Sequence, residues 1–299
     1  MTLSDSIAVA SIETLTRAVA GIAKRGNALP SFDSASSSLK VWPDPVKNRS
    51  ALAGLIVHPT EGPVLFDTGY DPAFLAATQP FPERFYRWAT PVRLDEGEAA
   101  VDQVRRLGLS PDDVGAIVIS HFHGDHIAGL HAFPKARLFC ARAGLAEIRK
   151  PGRIGRVRRG LLADLVPADA EARAVHFEDL PRVALPPALR PFEAGADLFG
   201  DGSMIAVELP GHCPGHWGLV VRREDDGLEF FIADGAWSTA QVRENAPPPG
   251  LTTALLGQTE PYRRTFAALH RLWASNPGLT LTPSHCPEAA ARAAKPNGR

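Results

Sequence analysis

The densest chemistry in this chain lies in His121-Phe122-His123-Gly124-Asp125-His126. His121 and His123 are two apart, so on extended backbone both imidazoles point to one face. Gly124 permits a sharp turn, which lets Asp125 and His126 approach from another side. Four potential ligands within six residues are too dense for a structural role. Imidazole plus carboxylate suits zinc, with iron and manganese as competitors. No cysteine lies within the cluster, which argues against a structural zinc site. Further ligand-type residues, His212, Asp234 and His285, stand where strands are expected to end. A metal site needs that recurrence; a polar loop of solvated histidines does not.

The elements that must position these groups follow from hydrophobic patterning. Leu52 to Val57 is a β-type run, Pro59 to Gly62 a turn, and Val64 to Phe66 a second strand ending on Asp67-Thr68-Gly69, which is a hairpin signal. Glu98 to Leu107 reads as a helix stopped by Gly108, and Ser110-Pro111-Asp112-Asp113 as a helix start. Ala116 to Ile119 is a short buried strand with the histidine motif at its carboxyl end, and a helical pattern resumes at Ile127. Met204 to Leu209 and Trp217 to Arg222 read as strands on either side of the loop bearing His212. Glu224 to Gly227 is then a hairpin turn and Glu229 to Ile232 its second strand, with Asp234 just beyond. Arg263 to Ala274 is a helix with the stripe Phe266, Leu269, Leu272 and Trp273, and Leu279 to Leu281 is a last strand before His285. An apolar strand followed by a histidine or aspartate is the recurring unit, and strands fix the bases of such loops rigidly.

Other stretches fit less well. Asp71 to Leu94 is rich in aromatics and proline and reads as an irregular surface loop. Its Phe74, Phe81, Phe85, Tyr86 and Trp88 read equally as an apolar acyl or aryl pocket and as a packing or oligomer contact. Arg149 to Pro191 reads as a cap-like segment inserted between ligand segments. Its basic run, Arg149 to Arg159, lacks aromatic stacking residues and reads as a solvated face rather than a nucleic-acid patch. Met1 to Lys24 has the apolar spacing of an amphipathic helix, and a polar arm from Ser31 to Ser38 follows it.

Bulk composition bounds the function. The 299 residues suit a single α/β domain, residues 1–299, with an N-terminal arm over about 1–50 and the insert over about 149–191. A net charge of -1 provides no global attraction for nucleic acid or acidic membranes. No apolar run approaches the ~20 residues a spanning helix needs. The cysteines are Cys140, Cys213 and Cys286, an odd, low count that argues against a disulfide framework and suits a cytoplasmic protein. Cys213 and Cys286 directly follow proposed ligand histidines and read as small buried residues.

His-x-His-x-Asp-His after an apolar strand resembles the signature of the metallo-β-lactamase superfamily. Asp67-Thr68-Gly69, Pro210-Gly211-His212-Cys213-Pro214-Gly215-His216, Asp234 and His285 match its other motifs in order, from Leu52 to His285. The resemblance implies a four-layer αβ/βα sandwich of two mixed β-sheets flanked by helices, with metals at one edge. It implies that His121, His123 and His212 hold one metal, that Asp125, His126 and His285 hold a second, and that Asp234 bridges them. Asp67 would orient a ligand and His216 would support the site. The cofactors would be two divalent ions, zinc first, with iron, manganese or cobalt as substitutes. Two ions about 3.5–4 Å apart share a water and lower its pKa towards about 7, which implies a bridging hydroxide attacking a lactone or ester.

Within the superfamily the chain is most similar to the N-acyl-homoserine lactonases, with two departures. Trp237 stands where those enzymes usually carry a tyrosine, three residues after the bridging aspartate. Gly124 stands where they often carry an aromatic. Trp237 is therefore expected beside Asp125 and Asp234 among the catalytic residues, and aryl-ester, organophosphate-type or thioester substrates remain alternatives to a lactone. A persulfide dioxygenase with one iron is the alternative of another reaction class. The implied partner is a small molecule, with no nucleic acid or membrane; a homodimer is left open.

Overall fold

Alternate residues of the buried strands serve different cores, and this alternation builds the layers. The computed structural model describes residues 51–293 apart from 93, 151, 223–226, 251, 252, 254–256 and 277. The expected N-terminal helix and arm, and residues 224–226 of the expected hairpin turn, lie outside the described residues.

One five-stranded sheet runs in the order β1 (Gly54–His58), β2 (Gly62–Phe66), β3 (Ala116–Val118), β4 (Arg137–Cys140) and β5 (Ala174–His176). Its first pair is the antiparallel hairpin and the rest is parallel. The six-stranded sheet contains β6 (Arg182–Ala184), β7 (Ala194–Asp197), β8 (Met204–Glu208), β9 (Trp217–Arg222), β10 (Leu228–Ala233) and β11 (Thr280–Pro283). It is antiparallel from β6 to β10, with β11 added parallel to β10.

Val64, Phe66, Ala116 and Val118 point between the sheets, where they meet Met204, Ala206, Leu219 and Val221. Leu65 and Ile117 point the other way, onto Phe74, Val104, Ile127 and Leu145 of the flanking helices. Ile205, Val207 and Val220 turn outward onto Tyr262, Phe266, Leu269 and Leu272 of the helix Thr259–Ser275. Successive side chains on a strand face opposite sides, so strands covered on both faces read as unbroken apolar runs. The product is the four-layer αβ/βα sandwich.

The structure differs from the sequence reading in several places: β4 and β7 were not expected, and two longer stretches differ. Asp71 to Leu94 is not irregular: it holds the helices Pro72–Ala77 and Arg84–Ala89. The Asp71 side chain caps the first by accepting from the Ala73 N–H at 2.9 Å, and Pro72 occupies its first turn. The segment Arg149 to Pro191 contains β5 and β6, one edge strand for each sheet, besides the helix Arg153–Arg158.

Candidate metal centre

Each ligand-type residue sits just past a strand, and two of these departures use a left-handed, non-glycine backbone. β2 ends at Phe66, and Asp67 then adopts φ 56°. β10 ends at Ala233, which adopts φ 47° immediately before Asp234. Such a conformation costs about 1–3 kcal/mol and persists only where neighbours enforce it. The Asp67 N–H donates to Val118 O at 2.9 Å and the Thr68 N–H to His126 O at 2.8 Å. The Asp234 N–H donates to His216 Nε2 at 3.1 Å. The third carboxylate, Asp125, arrives by another route. His123 is extended and caps the short helix Gly124–Ile127, which turns Asp125 and His126 back over the end of β3. This helix starts inside the motif, earlier than the expected resumption at Ile127.

The side chains converge in two overlapping groups. His123 Nδ1 lies 3.0 Å from both His121 Nε2 and His212 Nε2. Asp125 Oδ2 lies 3.3 Å from His285 Nε2 and 3.6 Å from His126 Nε2. Asp234 faces both groups. Its Oδ2 is 3.2 Å from His212 Nε2, while its Oδ1 is 3.2 Å from His285 Nε2 and 3.5 Å from His126 Nε2.

These residues fit a cation. Neighbouring imidazole nitrogens can share only one proton between two lone pairs. His126 Nε2 and Asp234 Oδ1 are buried without a hydrogen-bond partner, which is costly unless something else satisfies such atoms. The ligand atoms of His121, His123 and His212, with Cys213 Sγ, all lie within 4.8 Å of one another, as do those of Asp125, His126 and His285. Apart from that thiol the donor set is nitrogen and oxygen, which divalent ions of the zinc type favour.

Outer contacts fix which nitrogen of His121 and of His126 is free. Asp67 accepts from the Ser120 N–H and the Ser120 Oγ–H, both at 2.8 Å. Having spent its proton there, Ser120 Oγ accepts from His121 Nδ1–H at 3.0 Å, which leaves the Nε2 lone pair facing the cluster. His126 Nδ1–H donates directly to Asp67 Oδ2 at 2.8 Å, again freeing Nε2. One carboxyl group thus orients an imidazole in each group. His216 Nδ1–H donates to Leu209 O at 2.9 Å, and its Nε2 accepts from Asp234. Burial lowers His216 to about 4, so it stays neutral and ties the end of β8 to Asp234.

The two groups differ electrostatically. Burial, then the neighbouring imidazoles, holds His121 well below the usual histidine range; burial likewise lowers His123 and His212. Burial also opposes charge on His126 and His285, but Asp125 and Asp234 outweigh it. His126, which also feels Asp67, is raised well above the usual range, and His285 is raised to about 10. Asp125 and Asp234 are correspondingly lowered: burial opposes their ionisation, and the nearby imidazoles overcome it. Protons and cations therefore compete for the half of the cluster built from Asp125, His126 and His285.

Residues 46–285 match the metallo-beta-lactamase superfamily. The chain belongs to that superfamily. It is 26% identical over 234 residues to the N-acyl homoserine lactonase AiiB of Agrobacterium fabrum, covering 78% of this chain and 79% of that one. It is 27% identical over 199 residues to the N-acyl homoserine lactonase AttM of Rhizobium radiobacter, covering 66% and 67% of the two chains. The fold superposes on an N-acyl homoserine lactone hydrolase with N-hexanoyl-L-homoserine at its catalytic metal centre. The TM-score is 0.62 at 18% identity, covering 88% of this chain and 91% of that one. The hydrolase AbOPH shares the fold with a TM-score of 0.55 at 16% identity, covering 87% and 84% of the two chains. This metallo-beta-lactamase fold, with lactonase relatives, is that of a metal-dependent hydrolase.

The remaining residues singled out from the sequence are placed as follows. Trp237 is half-buried, and its backbone N–H donates to Gln241 Oε1 at 3.2 Å. Cys213 is buried beside the imidazoles, and burial pushes its thiol well up. All three cysteines are free, and Cys286 Sγ lies 3.3 Å from the Thr239 N–H. Four residues of the basic run pair with carboxylates outside it. Arg149 meets Glu171, Lys150 and Arg159 meet Glu147, and Arg153 meets Glu83. Among the described residues, no helix is long and apolar enough to cross a membrane.

Two contributors escaped the sequence reading. Ser120 relays Asp67 to His121, and only its place before the motif hints at that. Tyr86 Oη donates to Asp125 Oδ1 at 3.3 Å. The usable hint was Gly124. A Cβ there would lie 3.0 Å from Leu162, 3.1 Å from Phe74 and 3.2 Å from Tyr86, so side chains from elsewhere fill that space. The segment after Arg149 also reaches the site. The Gly124 N–H donates to Gly160 O at 3.2 Å, and Glu147, Arg159 and Leu161 line a small hollow with His123 and Cys213.

Proposed function

We propose that this chain is a dinuclear metal-dependent hydrolase that opens a lactone or an ester. The observation that carries this reading is the Asp234 carboxylate, with one oxygen towards His212 and the other towards His126 and His285. His121, His123 and His212 would hold one ion, Asp125, His126 and His285 would hold the other, and Asp234 would serve both. When bound, two zinc-like ions supply an activated water at neutral pH and polarise the acyl oxygen. The chain's own residues then orient and enclose. Asp67 fixes His126 directly and His121 through Ser120; His216 fixes Asp234. The segment from Arg149 to Pro191 forms one wall of the substrate cleft, supported by the contact of Gly160 with the motif.

The lactonase relatives support the acyl substrate, and Trp237 selects within that class. An indole provides one N–H and a broad apolar face, whereas a phenol both donates and accepts. One lost donor to a developing oxyanion costs about 2.7–4 kcal/mol, roughly 100-fold or more in rate. Wild type should therefore turn over aryl esters better than acyl-homoserine lactones. Trp237→Tyr should raise the ratio of lactone to aryl-ester kcat/KM. Efficient lactone turnover by wild type, with a ratio unmoved by Trp237→Tyr, would show that Trp237 only packs.

A further inference from the structure

We propose that Tyr86, which lies outside every ligand-bearing loop, is the positioning residue that sets the affinity of the Asp125, His126 and His285 half for its cation. The inference rests on the role given to Asp125 above. The Asp125 carboxylate has two distinct oxygens. Oδ2 faces His285 Nε2 at 3.3 Å and His126 Nε2 at 3.6 Å, while Oδ1 accepts from Tyr86 Oη at 3.3 Å. A carboxylate at the rim can turn about its last bond, and its side chain is only 13% exposed. The phenol removes that freedom by holding the outer oxygen, which keeps the inner oxygen on the imidazoles.

The phenol is itself held in place. The Tyr86 ring packs edge-on against Phe74, with centroids 5.4 Å apart, and Phe74 packs edge-on against Tyr70 at 5.0 Å. Phe74 is fully buried, so this stack is anchored in the core. The absent side chain at Gly124 opens the space through which the ring approaches: a Cβ there would stand 3.2 Å from it. The helix Arg84–Ala89 that carries Tyr86 is tied down at its start. Arg153 pairs with Glu83 and also donates to Phe81 O at 2.9 Å. Asp125 is therefore oriented by the packing around Tyr86, through an element distant in sequence from the motif. Partners of metal ligands of this kind commonly change metal affinity by about 10–100-fold.

Tyr86→Phe removes the hydroxyl and keeps the ring, so the stack with Phe74 survives. Zinc binding to the full-length wild type and variant is measured by competition with a chromophoric chelator, alongside the thermal midpoint of the metal-free proteins. The expected result is that one of two zinc sites loses about 10-fold or more in affinity. The other site and the metal-free midpoint stay as in wild type, and hydrolysis lost at limiting zinc returns with excess zinc. Equal affinities at both sites in wild type and Tyr86→Phe overturn the proposal. A wild type that binds a single zinc overturns the dinuclear reading as well, and that outcome is seen without the variant.

Discussion

Asp125→Ala should bind one divalent ion per chain in place of two, lose nearly all hydrolysis, and still fold. Asp125 reaches only the second half of the cluster: its oxygens meet His126, His285 and the Tyr86 hydroxyl. It lies in the turn Gly124–Ile127, whose backbone geometry alanine can adopt, and no apolar core contact depends on its carboxylate. The His121, His123 and His212 group keeps its geometry, because its outer support runs through Ser120 and Asp67. Loss of a direct ligand should exceed the ~100-fold upper range seen for outer partners. Metal analysis, circular dichroism and kcat/KM on one preparation check this; two ions with full activity would remove Asp125 from the site.

The second large effect combines stability and metal. Asp67 is fully buried and accepts from Ser120 twice and from His126 once. Removing one partner of a buried charged pair typically costs about 3–5 kcal/mol, since the other is left uncompensated. Asp67→Ala should lower the free energy of unfolding by that order and weaken both ion positions together. In that it differs from Asp125→Ala, which spares one position and the fold. Asp67→Gly should be less destabilised than Asp67→Ala, because glycine takes φ 56° without strain. Urea denaturation of the three proteins reads the difference; a wild-type transition for Asp67→Ala would mean that Asp67 supports nothing.

The ligand set could be read from the sequence because its chemistry is local. Four donors within six residues need no knowledge of packing, and the later histidines and aspartate each follow an apolar run. The strands were readable because burial on both faces makes them unbroken apolar stretches, as in Val64 to Phe66 and Met204 to Val207. The edge strands β5 and β6 gave no such signal. β6 carries Arg182 and Ala184 exposed around a half-buried Val183, so its sequence lacks both an apolar run and a clean alternation. The helices Pro72–Ala77 and Arg84–Ala89 are too short for a helical period to stand out among prolines and aromatics. From sequence Tyr86 reads as one of several aromatics that pack or line a pocket. Its bond to Asp125 spans 39 residues and depends on the space left by Gly124, which no local pattern encodes.

The most direct test combines metal quantification with hydrolysis on one sample of the purified protein. Two divalent ions per chain are expected, zinc or a zinc-like substitute. Opening of a lactone or aryl ester should be abolished by a chelator and restored by adding zinc. One iron per chain with oxygen uptake and no hydrolysis, or hydrolysis that survives complete metal removal, would contradict it.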